Sequence, residues 1–526
     1  MKPAASIQFL ARVTVLAALV FAGSLPSNDR VYSEGPDQAA EHGLPAAGVH
    51  LGRAERPTAQ GTPGKRDGKV EIVLSNLIDE LSTAGLGAAL ATAEKMDLTI
   101  SGDRIMVVVE TEADGVDDTV ALVELSGGAV ASRSDNLVLA YLPITAIRSI
   151  ASSSSVIRVR RPLMATGDLA GGSGFQSPTQ LLVAPSVFTS EGVRVIGANT
   201  WQAAGFDATG VKIGIIGLGF SGYESLRGTE LPPAGRMVAQ NFRSDANFSA
   251  TAYGSACAEI VYDVAPGATL YLAGISNDVE FGSAVDWLVA NSVSVLSLCV
   301  SFLGFNNYDG TGYIANKVNN ARTAGVFVVA GTGDFGQRHW DGMFSDSDGD
   351  GWHQFTGTTE VNGLYAYVGE RISAVLTWDD PWSSSTNDYD LYLYRWGDWS
   401  TPTASSDVAQ GPGTSPLEVI GYEVSQEGWY ALAVWRYSGS ARTLDLYSLN
   451  HNLDYTVASS SLGSPADAMG AVAVGVFNYS TGTIRAYSSQ GPTNDGRVKP
   501  ELSAPDGVST ASYGSGGLGA RWQPLW

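Results

Sequence analysis

Asp346-Ser-Asp348-Gly-Asp350-Gly351 places three carboxylates at a spacing of two, closed by glycine. A hard cation such as Ca²⁺ takes about six to eight oxygens at ~2.3–2.6 Å, and alternating aspartates in a turn supply several at once. An EF-hand loop opening at Asp346 would need Glu at its twelfth position, which is Gly357. The expectation is therefore a shorter structural Ca²⁺ loop built on Asp346, Asp348 and Asp350, with no organic cofactor. A second acidic group, Asp379, Asp380, Asp388 and Asp390, reads as hairpin ends. Cys257 and Cys299 fall on a helix and a strand, leave at most one bridge, and are expected as buried thiols. Trp378, Trp382, Trp396, Trp399, Trp429 and Trp435 share one alternating stretch, where core and cross-strand pairing is the expected role.

The elements that must position these residues follow from periodicity. Val211–Ile216, Ala268–Ala273, Val293–Val300 and Gly325–Ala330 are apolar runs of strand length. Between them, Phe281, Ala284, Val285, Leu288 and Val289 recur at helical spacing, as do Ile314, Val318 and Ala321. Strands buried on both faces and separated by helices predict an α/β fold with a doubly wound parallel sheet. Chemistry in such a sheet sits beyond the carboxyl ends of the strands. From about 345 to 455 the period changes to two, as in Leu391 and Leu393 against Tyr392 and Tyr394, which predicts an inserted antiparallel β-sandwich. Upstream, Arg104–Glu110, Val116–Leu125, Gly128–Ser132, Leu137–Leu142, Ile144–Ser152 and Val156–Arg160 read as β-α-β-β-α-β, a split βαβ unit.

Lys2 and Arg12 precede the apolar run Val13–Ala22 and the small residues Gly23 and Ser24, the pattern of a secretory signal peptide. The expected organisation is a signal peptide over 1–25, a linker over 26–68, the small α+β domain over 69–163 and a second linker over 164–190. The α/β domain then runs over 191–344 and 456–514, split by the sandwich at 345–455, with an atypical tail at 515–526. With 31 Lys plus Arg against 53 Asp plus Glu, the net charge of −22 excludes a nucleic-acid partner on electrostatic grounds. A secreted monomer without a stable membrane span is expected, with a polypeptide substrate or protein partner.

Several ordered motifs resemble the subtilisin-like serine proteases, the subtilases. Gly210–Phe220 is similar to the family's first-strand motif, which usually carries Ile-Asp-Thr-Gly. Ala252–Gly267 is similar to its His-Gly-Thr helix followed by Ala-Pro-Gly, and Val328–Asp334 to the strand ending in Ala-Gly-Asn. Tyr487–Pro492 and Lys499–Pro505 resemble the approach to the Gly-Thr-Ser nucleophile motif. The resemblance covers about 190–344 and 456–514. It implies that the 69–163 domain is propeptide-like, a folding chaperone that blocks the cleft, and that the insert is a sandwich of the kind fused to secreted peptidases.

The resemblance also exposes what is missing. The Asp position falls on Gly217, or on Leu218 if the register slips, and the His position on Tyr253. A phenol with a pKa near ~10 is a poor base at neutral pH. The oxyanion-stabilising Asn is replaced by Asp334, whose carboxylate accepts hydrogen bonds where a donor is needed. Cys299-Val-Ser301 stands where Ser-Leu-Gly is usual, and no serine near Ser509, Ser512 or Ser515 precedes the helix that would present a nucleophile. The histidines, His42, His50, His339, His353 and His451, all lie outside a His-Gly-Thr context. Loss of one triad member costs on the order of 10⁴–10⁶ in kcat. The reading is an exported subtilase-family protein without catalysis as written, a peptide- or partner-binding pseudoprotease. The alternatives are a truncated or frame-shifted serine endopeptidase, and an active one with substitute residues.

Overall fold

The computed structural model describes residues 48–51, 69–166 and 188–515, apart from positions 97, 305, 383, 408, 412 and 413. The expected signal peptide, most of both linkers and the tail beyond 515 lie outside the described residues. Among those described, no helix is long and apolar enough to cross a membrane.

The first unit opens with two helices, α1 (Ile72–Ala84) and α2 (Leu86–Lys95), which the sequence analysis left unassigned. Leu74, Leu77, Ile78 and Leu81 line one face of α1 and enter the domain's core. There follow β1 (Ile100–Ser101), β2 (Arg104–Thr111), α3 (Val116–Leu125), β3 (Ala129–Ser134), β4 (Leu137–Pro143), α4 (Ile147–Ala151) and β5 (Val156–Arg160). The antiparallel sheet runs β3-β4-β2, and β1 and β5 share the far edge of β2. The order of helices and strands from β2 to β5 is the expected one.

The second unit holds β6 (Lys212–Gly217), β7 (Met237–Asn241), helix α5 (Tyr253–Val264), β8 (Thr269–Gly274), helix α6 (Asp278–Ala290), β9 (Val295–Leu298), helix α7 (Gly312–Thr323) and β10 (Phe327–Gly331). The chain then leaves for the sandwich, β11 (His339–Met343) to β18 (Thr443–Ser448), and returns through β19 (Ala471–Asn478) and β20 (Leu502–Asp506). These seven strands form one parallel sheet in the order β20-β19-β10-β9-β6-β8-β7. Side-chain alternation explains why its strands read as unbroken apolar runs. Ile216, Leu296, Leu298, Val328 and Ala330 face α6 and α7, while Ile213, Ile215, Val295 and Val329 face α5.

The sandwich has two four-stranded antiparallel sheets. Between β11 and β18 lie β12 (Asn362–Ala366), β13 (Arg371–Trp378), β14 (Asp388–Arg395), β15 (Ala404–Ser406), β16 (Leu417–Glu423) and β17 (Gly428–Ser438). The sheets are β11-β18-β13-β16 and β12-β17-β14-β15. The sandwich therefore begins at His339, ahead of the expected boundary at 345, because β11 pairs with β18 along its whole length. Leu391, Leu393, Leu432 and Val434 point into the space between the sheets. Tyr392, Tyr394, Ala431 and Ala433 face outward and are covered by Trp352, Trp396, Trp399 and Trp435 together with Val49 and Leu51. Residues 48–51, expected within a linker, thus lie against this aromatic face. On the opposite side Val375 and Tyr447 meet Leu303, Tyr308 and Phe335, joining sandwich to α/β unit.

Candidate functional site

Gly217 ends β6, Tyr253 opens α5, and Asp334 lies three residues beyond β10. All three thus sit at the carboxyl side of the parallel sheet, where chemistry is expected. A Cβ on Gly217 would lie 3.3 Å from Gly254 Cα and 3.5 Å from Phe220 Cζ. The start of α5 is pinned there by Gly254 N–H donating to Gly219 O at 3.0 Å. The position offers no acid and little room for one. Tyr253 is buried in an apolar cluster with Phe220, Cys257 and Val261, and no imidazole stands there.

Asp334 has a partner that the sequence analysis did not identify. Its Oδ2 lies 3.2 Å from Arg338 Nη1, one helical turn on in sequence, and the Arg338 side chain is 2% exposed. Arg338 also donates to Leu449 O at 3.2 Å. The Asp334 carboxylate is thereby an ion-pair member, with its charge met by a guanidinium. The Asp-x-x-x-Arg spacing was the signal available.

Beside these positions lies an intact backbone clasp. Residues 163–166, leaving β5 of the first unit, run extended between the segments that follow β8 and β9. Asp278 N–H donates to Leu163 O at 3.0 Å, and Leu163 N–H to Asp278 Oδ1 at 3.1 Å. Ala165 N–H donates to Ser276 O at 2.9 Å. Thr166 and Ser301 exchange both backbone bonds, at 2.7 and 2.6 Å. This is strand addition, in which main-chain groups supply the binding. Side chains lock the unit in place. Arg160, 6% exposed, donates to the fully buried Asp278 at 2.7 Å and to Glu110 at 2.5 Å. Lys317 bridges Asp135 and Asp286 at 2.9 and 2.7 Å, and Ser283 Oγ donates to Arg133 O at 3.0 Å.

On α5 and the segments packed against it is a carboxylate group also not anticipated. Glu259 accepts from Ala511 N–H at 2.5 Å and from both the N–H and the hydroxyl of Ser512. Glu191 takes the N–H and hydroxyl of Ser509, each at 2.7 Å. Asp263 accepts from Ser190 N–H at 2.7 Å, and Glu230 from Phe188 N–H. Burial, aided by the neighbouring Glu230, pushes Glu259 and Asp263 each up to about 7. One carboxylate taking the backbone and side chain of one residue is a loop anchor. Ser509 and Ser512 are thereby engaged as structural donors.

Asp346, Asp348 and Asp350 do converge, with carboxylate oxygens all within 4.8 Å, and His50, Asp348 and Glu360 form an overlapping group. Asp388 and Asp390 begin β14, whereas Asp380 is held by Thr386 N–H, Asn387 N–H and Arg442. Cys257 and Cys299 are buried, outside any disulfide, and lie within one apolar cluster, as expected.

With this geometry in hand, the chain can be set beside known proteins. The Subtilase family model matches residues 450–522, and that segment is subtilase-like. No curated protein matches it. Among solved structures, the CspB protease of Clostridium perfringens matches at 13% identity and a TM-score of 0.41, covering 62% of this chain and 85% of that one. The epidermin leader peptide processing serine protease EpiP of Staphylococcus aureus matches at 10% identity and a TM-score of 0.37, covering 77% of this chain and 76% of that one. A serine-to-alanine mutant of the same protease matches at 10% identity with a TM-score of 0.38, over the same shares of the two chains. The subtilase-like segment contains β19, β20 and the approach to Ser509, which is the shorter of the two stretches of the resemblance read from the sequence.

Proposed function

We propose that this subtilase-like chain is an exported pseudoprotease, which holds an extended polypeptide in the cleft of its doubly wound sheet without cleaving it by Ser–His–Asp chemistry. The observation that carries this reading is the clasp of residues 163–166 by Ser276, Asp278 and Ser301, beside positions occupied by Gly217, Tyr253 and Asp334. Main-chain recognition works for any sequence that can extend, so the segment held is a stand-in for a peptide ligand. The 69–163 domain acts in this reading as a propeptide-like plug. No base, orienting acid or oxyanion donor from the triad scheme is left at the three positions. Export is supported by the basic and apolar pattern of residues 2–24.

A fluorophosphonate probe tests the inactive assignment directly. Purified full-length protein should show no stoichiometric serine labelling and no inhibitor-sensitive hydrolysis of casein. Labelling of one serine per chain, with turnover abolished by the probe, would overturn it.

A further inference from the structure

We infer that His50, Asp348 and Glu360 form a binding site for one borderline divalent cation of the Zn²⁺ class, which staples residues 48–51 to the β-sandwich. The three ligand atoms lie within 4.8 Å of one another and come from three separate stretches of chain. His50 Nδ1 lies 2.9 Å from Glu360 Oε1 and 3.7 Å from Asp348 Oδ2. Tetrahedral ligands with bonds of about 2.0–2.2 Å stand ~3.4 Å apart, and the two distances bracket that value.

The charge balance at the site calls for a cation. The Glu360 side chain is fully buried, at 0% exposure, and among the described residues its one ion-pair partner is His50. Burying a carboxylate without a firm countercharge is costly. Asp346 is the exception in the loop. It accepts N–H groups from Gly349, Asp350 and Gly351, and Arg436 stands 3.6 Å away. Its charge is already answered, so the surplus lies toward Asp348 and Glu360, where His50 enters.

The donor set distinguishes the cation. Three loop aspartates alone offer only oxygen, which suits Ca²⁺. An imidazole nitrogen beside two carboxylates suits Zn²⁺ and its neighbours. The segment around His50 is already positioned without metal. Glu360 N–H donates to Val49 O at 3.0 Å, Leu51 N–H donates to Glu360 Oε2 at 2.5 Å, and Gly48 N–H donates to Thr359 Oγ1 at 3.1 Å. Val49 and Leu51 rest on the aromatic face with Trp352 and Trp435. Little ordering cost is left for the metal to meet, which is the condition for tight binding.

The test uses full-length protein stripped by chelator dialysis, then loaded with Zn²⁺ or with Ca²⁺ and desalted. One Zn²⁺ per chain should be retained, with a Zn²⁺-dependent rise in Tm. His50→Ala alters a half-exposed residue and should fold, yet weaken Zn²⁺ binding by at least about 100-fold. Asp346→Asn should retain the metal. Absence of bound Zn²⁺, equal retention by His50→Ala, or Ca²⁺ binding without Zn²⁺ binding would each overturn the assignment. None of these outcomes bears on the cleft, which is tested separately by the serine probe.

Discussion

Residues 276–278 and 301 hold an extended chain through main-chain groups, while 217, 253 and 334, at the same end of the sheet, present a hydrogen atom, a buried phenol and an ion-paired carboxylate. The two halves of the cleft differ in what they demand of sequence. Every residue except proline brings one N–H and one C=O, so strand addition survives substitution as long as the backbone path is kept. Proton transfer and oxyanion stabilisation need particular side chains at particular atoms and vanish with them. In the proposed reading, a fold of this kind would keep a grip on a peptide where the side chains for cutting it are absent.

The largest effect is expected where the grip relies on a side chain. Asp278 is fully buried, pairs with Arg160 and accepts from Leu163 N–H. Asp278→Ala would leave a buried guanidinium with Glu110 as its remaining carboxylate partner and release one end of the clasp. Removing one partner of a buried pair costs roughly 3–5 kcal/mol, and the retained Glu110 contact places this case toward the lower end. Denaturant unfolding should show the midpoint falling, with the 69–166 unit separating as an earlier transition. An unchanged midpoint would mean that the backbone clasp alone holds the two units together.

The same contrast explains what could be read in advance. The parallel strands were legible because burial on both faces forces unbroken apolar runs, and the sandwich because its inward and outward residues alternate as Leu391 and Tyr392 do. Edge strand β7 escaped notice because Val238, Ala239 and Gln240 are exposed and carry no period. Helix α1 carries a readable one in Leu74, Leu77, Ile78 and Leu81, upstream of the expected βαβ unit. Of the candidate site, the vacated positions were visible as single residues in ordered motifs. The Arg160–Asp278 pair, 118 residues apart, and the meeting of His50 with Glu360, 310 apart, had no local signature. Such partners are set by the tertiary path, which no window of sequence contains.

Reinstating the acid sharpens the comparison from the chemical side. Gly217→Asp would push a Cβ to 3.3 Å from Gly254 Cα, beside the buried Phe220 ring. Overpacking of this kind costs roughly 1–3 kcal/mol, and a carboxylate desolvated in that cluster adds to it. The variant, alone or with Tyr253→His and Asp334→Asn, should be less stable in denaturant and should show no peptidase turnover. A gain of inhibitor-sensitive activity would mean that the chemical half is at most three substitutions deep, and the contrast between the halves would collapse.

The smallest expected effect comes from the carboxylates on α5, which hold the chain through its backbone as the clasp does. Glu259 and Asp263 sit near 7 when folded, against about 4.5 and 3.8 ordinarily. Between the ordinary and raised values the folded state binds protons that the unfolded state has released, so stability must fall as pH rises through that window. Their contribution is complete below about pH 4 and gone above about pH 7 to 8. The buried His353, held down to about 4, works in the opposite sense, but its effect is complete above its ordinary value of 6.5. The interval from pH 6.5 to 8 therefore leaves out His353 and reads the raised acids, Glu259 and Asp263 together with the buried Glu418, which burial also pushes well up. Wild-type Tm should drop across it by about 1–2 °C, small for a chain of this length, where each kcal/mol moves Tm little. Glu259→Gln keeps an acceptor for Ala511 N–H and removes the titration, so its slope over that interval should be flatter. A slope identical to wild type would mean that Glu259 stays ionised throughout. In that case the hydrogen bonds from residues 511 and 512 outweigh its burial, and this end of the fold would share the pH-indifference expected of the main-chain clasp.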